Sequence, residues 1–215
     1  MPRASAAAEA LHVGRAPRQR LHLFTAAWNW YNSHHVPFDA CRPSEIAMSH
    51  HNDNPYLKLR PPPATPPYEL CRCPGNPSIK LMCALSYNPL HCLDCNLEIE
   101  PVSLPLSVQL VEPIAAWRSS YDAIYRLWLA SGDYEDWAEA QLSDITSPIN
   151  VNGIRLCAQL DPVRRCYFWY FQDQSADCFT PLRHCPNCGN GFSAYHRGIF
   201  AQYICDQCGI ATVGA

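Results

Sequence analysis

The residues best suited to chemistry in this sequence are cysteines that lie in closely spaced pairs near its C-terminus. Cys185 and Cys188 form one Cys-x-x-Cys-Gly turn, and Cys205 and Cys208 form a second after a gap of 16 residues. Each turn can direct two thiolates toward one point, and its glycine supplies a left-handed backbone conformation. Four thiolates at about 2.3 Å form a tetrahedron around zinc. The spacing therefore predicts a four-cysteine zinc ribbon rather than four unrelated core cysteines.

A metal held by four thiolates has no open coordination position, so it cannot activate water. The predicted role of this site is folding, not catalysis. Iron in a rubredoxin-like centre would use the same turns. Zinc is favoured because nothing else in the sequence indicates electron transfer.

A second group of four cysteines precedes the first in the chain, with the pattern C-x-C-x18-C-x2-C: Cys71, Cys73, Cys92 and Cys95. Neither turn has glycine directly after its second cysteine, so the backbone geometry is less defined than in the C-terminal pair. His91 and Cys83 are alternative ligands. Buried free thiols and a redox Cys-x-x-Cys at 92 and 95 are the other interpretations, although the βαβ pattern of a thioredoxin-like fold is missing. One zinc ion is therefore expected, and two if this group is complete.

The remaining five of the 13 cysteines have no paired spacing: Cys41, Cys83, Cys157, Cys166 and Cys178. Cys157 and Cys166 lie in apolar segments and are expected in the core. The sequence contains no Gly-rich phosphate loop, no His-Glu-x-x-His and no Gly-x-Ser-x-Gly. We therefore expect a protein that is not an enzyme, with a redox or hydrolytic role as the alternative.

Three helices are predicted in the middle of the chain. Apolar residues from Ile114 to Trp128 recur at helical spacing, and Ser131-Gly132 should end that helix. Asp133 is expected to cap a second helix that runs to Leu142. Ser147-Pro148 should begin a third, which ends near residue 160.

Strands are predicted on both sides of the helices. Residues 78–85 form a short apolar run, and a second short strand is expected at 97–100. Residues 163–172 are rich in aromatics and apolar on both faces, which predicts a central strand. The spacer between the two C-terminal cysteine pairs is long enough for a hairpin. The fold class is therefore α+β: a small cysteine-rich β region, a central helical segment and a C-terminal zinc ribbon.

The predicted domain organisation follows these patterns. Residues 1–47 are a poorly defined extension, and Met48 is an alternative start. Residues 48–110 hold a Pro-rich lead-in and the cysteine-rich β region with its metal site. Residues 111–180 form the helical scaffold and the aromatic strand, and 181–215 form the ribbon.

Composition excludes several function classes. Hydrophobic residues make up 48% and charged residues 16% of the 215, which indicates a globular chain rather than a disordered or fibrous one. No run of about 18 apolar residues is present, so no membrane span is predicted. A net charge of −3 argues against a broadly basic nucleic-acid surface. No secretory signal is recognisable, so a reducing, cytoplasmic location is expected.

The order of several segments resembles a known family. Asn-Pro-Leu-His-Cys-Leu-Asp-Cys at 88–95 is followed by the Trp-rich helix, by Cys-Tyr-Phe-Trp-Tyr-Phe at 166–171, and by Cys-Pro-Asn-Cys-Gly at 185–189. Together they resemble an uncharacterised bacterial family of zinc-ribbon-containing proteins described as candidates for nucleic-acid binding. The resemblance covers roughly residues 68–212 and implies zinc more firmly than a nucleic-acid partner. The chain departs from it at Phe192, where the family pattern has Trp.

Two functions remain open. In the first, the ribbon contacts nucleic acid through Arg183, Tyr195, Arg197 and Tyr203. Residues 181–215 hold two arginines and one aspartate, a net charge of +1, which is little for a nucleic-acid groove. In the second, the protein is a protein–protein adaptor whose zinc sites only stabilise the fold.

Overall fold

The computed structural model describes residues 55–59, 65–83, 85–175 and 179–214. The predictions for the extension at 1–47, for Met48 as a start and for Cys41 and Cys178 lie outside these ranges. Of the proline-rich run Pro-Pro-Pro-Ala-Thr-Pro-Pro at 61–67, only residues 65–67 fall inside these ranges.

Helix α1 spans Val108–Ala130 and buries the predicted apolar face: Ile114, Trp117, Tyr121, Tyr125 and Trp128. It begins six residues before the start predicted from that spacing and continues through Pro113. The amides of Leu110 and Val111 donate to the carbonyl of Ser107, and Val111 is fully buried. The packing of these added residues therefore stabilises the helix by more than the loss of the backbone hydrogen bond that Pro113 cannot donate.

The two following helices are α2, Glu135–Ser143, and α3, Pro148–Leu160. Asp133 is not the cap of α2, because Tyr134 occupies the N-cap position. The Ser131 hydroxyl accepts a hydrogen bond from the Tyr134 amide instead. The prediction for α3 is confirmed, with Ser147 at the N-cap and proline in the first turn.

Within the described ranges, six strands form one mixed sheet in the order β2-β1-β3-β6-β5-β4. Their bounds are Ile79–Leu81 (β1), Leu90–Cys92 (β2), Cys166–Trp169 (β3), Ser193–Ala194 (β4), Gln202–Cys205 (β5) and Ile210–Val213 (β6). Strand β3 lies parallel to both of its neighbours, β1 and β6. The pairs β1–β2, β4–β5 and β5–β6 are antiparallel. The aromatic strand is therefore central, as predicted, although it is shorter than 163–172.

The N-terminal strands differ from the prediction in three ways. Strand β1 covers only part of 78–85, and Leu85 takes a positive φ of 63°, which no strand accommodates. The antiparallel partner of β1 is β2, a strand that the sequence did not predict. Instead of a strand at 97–100, only single bridges form, from Glu98 to His91 and to Leu70.

The helices cover one face of the sheet. The Trp117 ring packs edge-on against Phe168 of β3 at 6.2 Å, and its Nε1 donates to the Ile149 carbonyl of α3 at 3.0 Å. Cys157 and Cys166 are buried in this core, as predicted. Among the described residues, no helix has both the length and the apolar character needed to cross a bilayer. The α+β fold thus joins both cysteine-rich regions through one sheet.

Candidate metal centres

The four C-terminal cysteines converge on one point, as their spacing predicts. The sulfurs of Cys185, Cys188, Cys205 and Cys208 all lie within 4.8 Å of one another. The Cys188 and Cys205 sulfurs are 3.7 Å apart, and no disulfide forms. A tetrahedron with metal–sulfur bonds of about 2.3 Å has an edge of about 3.8 Å. The sulfur spacing therefore fits a tetrahedral metal ion.

The sheet and two tight turns position these sulfurs. Cys205 is the last residue of β5, and its turn leads directly into β6, where Ile210 pairs with it. In the other turn, the Gly189 amide donates to the Cys185 carbonyl at 2.8 Å. Gly189 and Gly209 both have positive φ, at 75° and 61°. The glycines thus serve the role inferred from the sequence.

The earlier group of cysteines also converges, with the sulfurs of Cys71, Cys73, Cys92 and Cys95 within 4.8 Å of one another. Neither alternative ligand belongs to this group. The ring nitrogens of His91 contact the Ser86 hydroxyl at 3.2 Å and the Asn96 carbonyl at 3.1 Å. The thiol of Cys83 lies 3.9 Å from the Arg118 carbonyl, in the helix-facing core.

Asparagine replaces the glycine that the first group lacks. Asn96 directly follows Cys95 and has a φ of 65°, close to that of Gly209. Asparagine tolerates this conformation better than most residues with a side chain. The sequence carried this signal, because Asn96 holds the position that Gly209 holds in the C-terminal turn.

The two sites are built alike. Cys92 ends β2 and its amide donates to the carbonyl of Leu97 five residues later, while Cys205 ends β5 and pairs with Ile210 five residues later. In each site a strand ends at a cysteine, a Cys-x-x-Cys turn follows, and a returning segment pairs with that strand. The protein therefore contains two ribbon-like units on opposite sides of β3.

The local environment sets the protonation of the thiols. Burial raises the pKa of Cys185 to about 12 and also raises the pKa of Cys92, Cys95 and Cys205. The Asn190 backbone amide holds the pKa of Cys188 below its ordinary value. A cation bound by the four sulfurs would replace their protons, so metal binding releases protons.

A polar side chain supports the C-terminal sulfurs from outside the ligand set. The Asn187 side-chain amide donates to the Cys208 sulfur at 3.3 Å. Asn187 lies in the first turn and Cys208 in the second, so this bond joins the two halves of the site. Four soft sulfur donors in a closed shell suit zinc or iron and leave no position for a substrate.

Two of the four residues predicted to contact nucleic acid lie together. Tyr195 and Arg197 come together on Asp94: the Tyr195 hydroxyl donates to its carboxylate, and the Arg197 guanidinium lies 3.3 Å from it. Tyr203 stacks on Phe192 with ring centroids 6.5 Å apart, and Arg183 is exposed.

Sequence reasoning missed two aspartates that lie inside the Cys-x-x-Cys turns. Asp94 lies between Cys92 and Cys95, and Asp206 follows Cys205. The Tyr167 hydroxyl donates to Asp206, and Arg165 pairs with the same carboxylate at 3.5 Å. In each turn, an aspartate thus contacts a tyrosine and an arginine that lie two positions apart in the sequence.

Comparison with known proteins gives no match to any protein-family model, curated protein or solved structure. The family resemblance therefore stays a prediction.

Proposed function

We propose that this is a structural zinc protein that holds two Zn²⁺ ions, one in each group of four cysteines, and serves as a binding module for another protein. One observation carries the metal-binding part of the proposal: two sets of four sulfurs converge, each at the end of a strand in the same sheet. Zinc is favoured over iron because four thiolates in paired short turns are typical of structural zinc sites.

A catalytic role has little support. Both sets of ligands are complete, so neither ion would have an open position for water or substrate. Within the described ranges, no other group of three or more His, Cys, Asp or Glu side chains is arranged to hold a metal. The ions would stabilise the sheet and the loops that it carries.

The hairpin loop between β4 and β5 has features that favour a protein as the binding partner. Ile199 is 71% exposed and Phe200 is 53% exposed at its tip. The Ile199 amide donates to the Asp94 carbonyl at 2.9 Å, so the loop is held against the rest of the protein. Large apolar side chains on an anchored loop suit an apolar cleft in a partner protein.

The charge of the C-terminal ribbon gives less support to a nucleic acid as the binding partner. Asp94 already pairs with Arg197, one of the two arginines in the ribbon. Arg183 and the stacked Phe192–Tyr203 pair remain for a nucleic acid, and one arginine provides little counterion release. The partner that we propose is therefore a protein.

Elemental analysis of the purified protein tests the metal, with two zinc ions per chain expected. One ion, iron, or no metal would contradict this part of the proposal. For the partner, affinity capture would compare the native chain with Ile199→Ser/Phe200→Ser after nuclease treatment. The matched control is Val151→Ser, which replaces an apolar residue 52% exposed on α3.

We expect one stoichiometric protein to be captured by the native chain and by Val151→Ser, but not by the loop variant. Titration with fluorescent single- and double-stranded oligonucleotides at low and moderate salt tests the alternative. Salt-dependent binding that Arg183→Ala weakens would favour nucleic acid and overturn the protein partner.

A further inference from the structure

We propose that Asp94 is a positioning residue through which the C-terminal ribbon holds the first metal centre, so that the two centres bind their ions cooperatively. This inference rests on the proposed function, because it requires that both groups of four cysteines bind zinc. It goes further in assigning a route by which one ion affects the other.

Four hydrogen bonds join the turn between Cys92 and Cys95 to the C-terminal ribbon. Asp94 accepts from the Tyr195 hydroxyl, from Arg197 at 3.3 Å and, through its carbonyl, from the Ile199 amide at 2.9 Å. The side-chain amide of Gln202 donates to the Leu93 carbonyl at 2.8 Å. Leu93 and Asp94 are the two residues that separate the cysteine ligands, so these bonds act directly on the ligand spacing.

All four donors belong to the β4–β5 hairpin of the other ribbon. Gln202 begins β5 and Cys205 ends it, so the strand that contacts the first turn also carries a ligand of the second centre. A structural metal contributes to folding in small cysteine-rich units. When the second centre is empty, the hairpin should lose order and release the first turn.

The corresponding aspartate of the second turn makes a different connection. Asp206 is bonded by Tyr167 and Arg165, which belong to the β3 region and not to the first ribbon. Its side chain is 68% exposed, whereas the Asp94 side chain is 12% exposed. A desolvated carboxylate with charged and hydroxyl donors makes stronger hydrogen bonds than an exposed one. Asp94 is therefore the contact between the ribbons best placed to couple them.

The test measures Zn²⁺ affinity at the first site by competition with a chromogenic chelator, under reducing conditions, in the full chain. The second site is emptied by Cys188→Ser/Cys208→Ser, with and without Asp94→Asn. With Asp94 present, emptying the second site should weaken the first by about tenfold, a usual size for coupling between sites. Asp94→Asn weakens the two bonds to the carboxylate and leaves the two main-chain bonds, so in that background the same change should have a smaller effect, about threefold.

Two results would overturn the inference. One is a first-site affinity that does not change when the second site is emptied. The other is an equal loss with and without Asp94→Asn, which would place the coupling elsewhere in the sheet. Asp122→Asn is the matched control, since Asp122 pairs with Arg126 at 2.8 Å on α1 and belongs to neither group of four cysteines. It should leave the coupling unchanged.

A second measurement applies if the serine variants do not fold. Excess chelator should remove both ions from the native protein in one kinetic phase. Asp94→Asn, or the milder Tyr195→Phe, should separate this into a faster phase for the first ion and a slower phase for the second. A single unchanged phase in both variants would contradict the inference. Protein that contains no zinc would instead contradict the proposed function.

Discussion

Asn96 and Gly209 adopt the same left-handed backbone conformation at the same place, directly after the second cysteine of their turns. Their φ angles are 65° and 61°. The chain must reverse there to pair with the strand that it has just left, so both turns need a positive φ. Glycine reaches it freely, and asparagine reaches it at less cost than other residues with a Cβ.

This equivalence predicts how position 96 responds to substitution. Asn96→Gly should keep both zinc ions and change the free energy of unfolding little. Asn96→Val should lower it by about 1–2 kcal/mol, because a β-branched residue is strained at positive φ. Urea unfolding of the zinc-loaded proteins measures the difference. Equal stability of the two variants would contradict the structural equivalence of the turns.

Gly153 lies where α3 contacts the sheet, and it has no room for a side chain. A Cβ there would lie 2.5 Å from Phe168 Cε2 and 3.0 Å from Trp117 Nε1. Gly153→Ala should therefore lower the stability by about 1–3 kcal/mol through overpacking, despite the better helix propensity of alanine. Thermal unfolding measures this change.

Gly191→Ala is the control for that experiment, since a Cβ at Gly191 meets nothing within 4 Å and its φ is not positive. Its melting temperature should stay close to that of the native protein. A stabilised Gly153→Ala variant would show that α3 can move away from β3.

The burial of Lys80 leads us to expect that the stability of the protein depends on pH. It is 2% exposed on β1, with its amine 3.3 Å from Gln202 and 4.3 Å from the centre of the Trp169 ring. Burial lowers the pKa of Lys80 to about 7, from an ordinary value of 10.5. Between pH 7 and 10.5 the unfolded chain therefore binds a proton at Lys80 that the folded protein does not.

Stability contributed at this residue should rise with pH across that window, by at most about 1.4 kcal/mol per pH unit. Lys80→Met removes the titrating group and keeps an apolar chain of similar length. The variant should be more stable than the native protein at pH 7, and the difference should shrink toward pH 10. Chemical unfolding at three pH values measures it, and a constant difference would refute the assignment.

Cys188→Ser should remove one zinc ion per chain and lower the melting temperature by about 10 °C or more, since a structural zinc ion contributes several kcal/mol to folding. Elemental analysis and calorimetry measure the two effects. Cys157→Ala, at a buried cysteine outside both groups, should lose some stability but retain both ions. Unchanged metal content in Cys188→Ser would contradict the ligand assignment.

Local sequence was sufficient for the features that depend on short spacing. The Cys-x-x-Cys-Gly turns, the apolar face of α1 and the Ser147-Pro148 start of α3 each depend on residues a few positions apart. Strand lengths were predicted less well, because 163–172 and 78–85 read as long apolar runs while pairing extends over only four and three residues. Hydrogen-bonded pairing depends on partners far along the chain, which hydrophobicity alone does not identify.

Spacing alone selected Cys185, Cys188, Cys205 and Cys208 as one set, because two thiolates on each Cys-x-x-Cys turn can meet across a hairpin, but it left His91 and Cys83 as alternative ligands in the earlier group. It did not determine that both ribbons join one sheet through β3, or that Tyr195 and Arg197 bind Asp94, 101 and 103 residues away. Those contacts form because Leu93, Tyr167, Ile204 and Tyr195 pack in one apolar cluster whose members come from distant parts of the chain. This packing across the folded sheet, which no local pattern encodes, places the hairpin of one centre against the turn of the other.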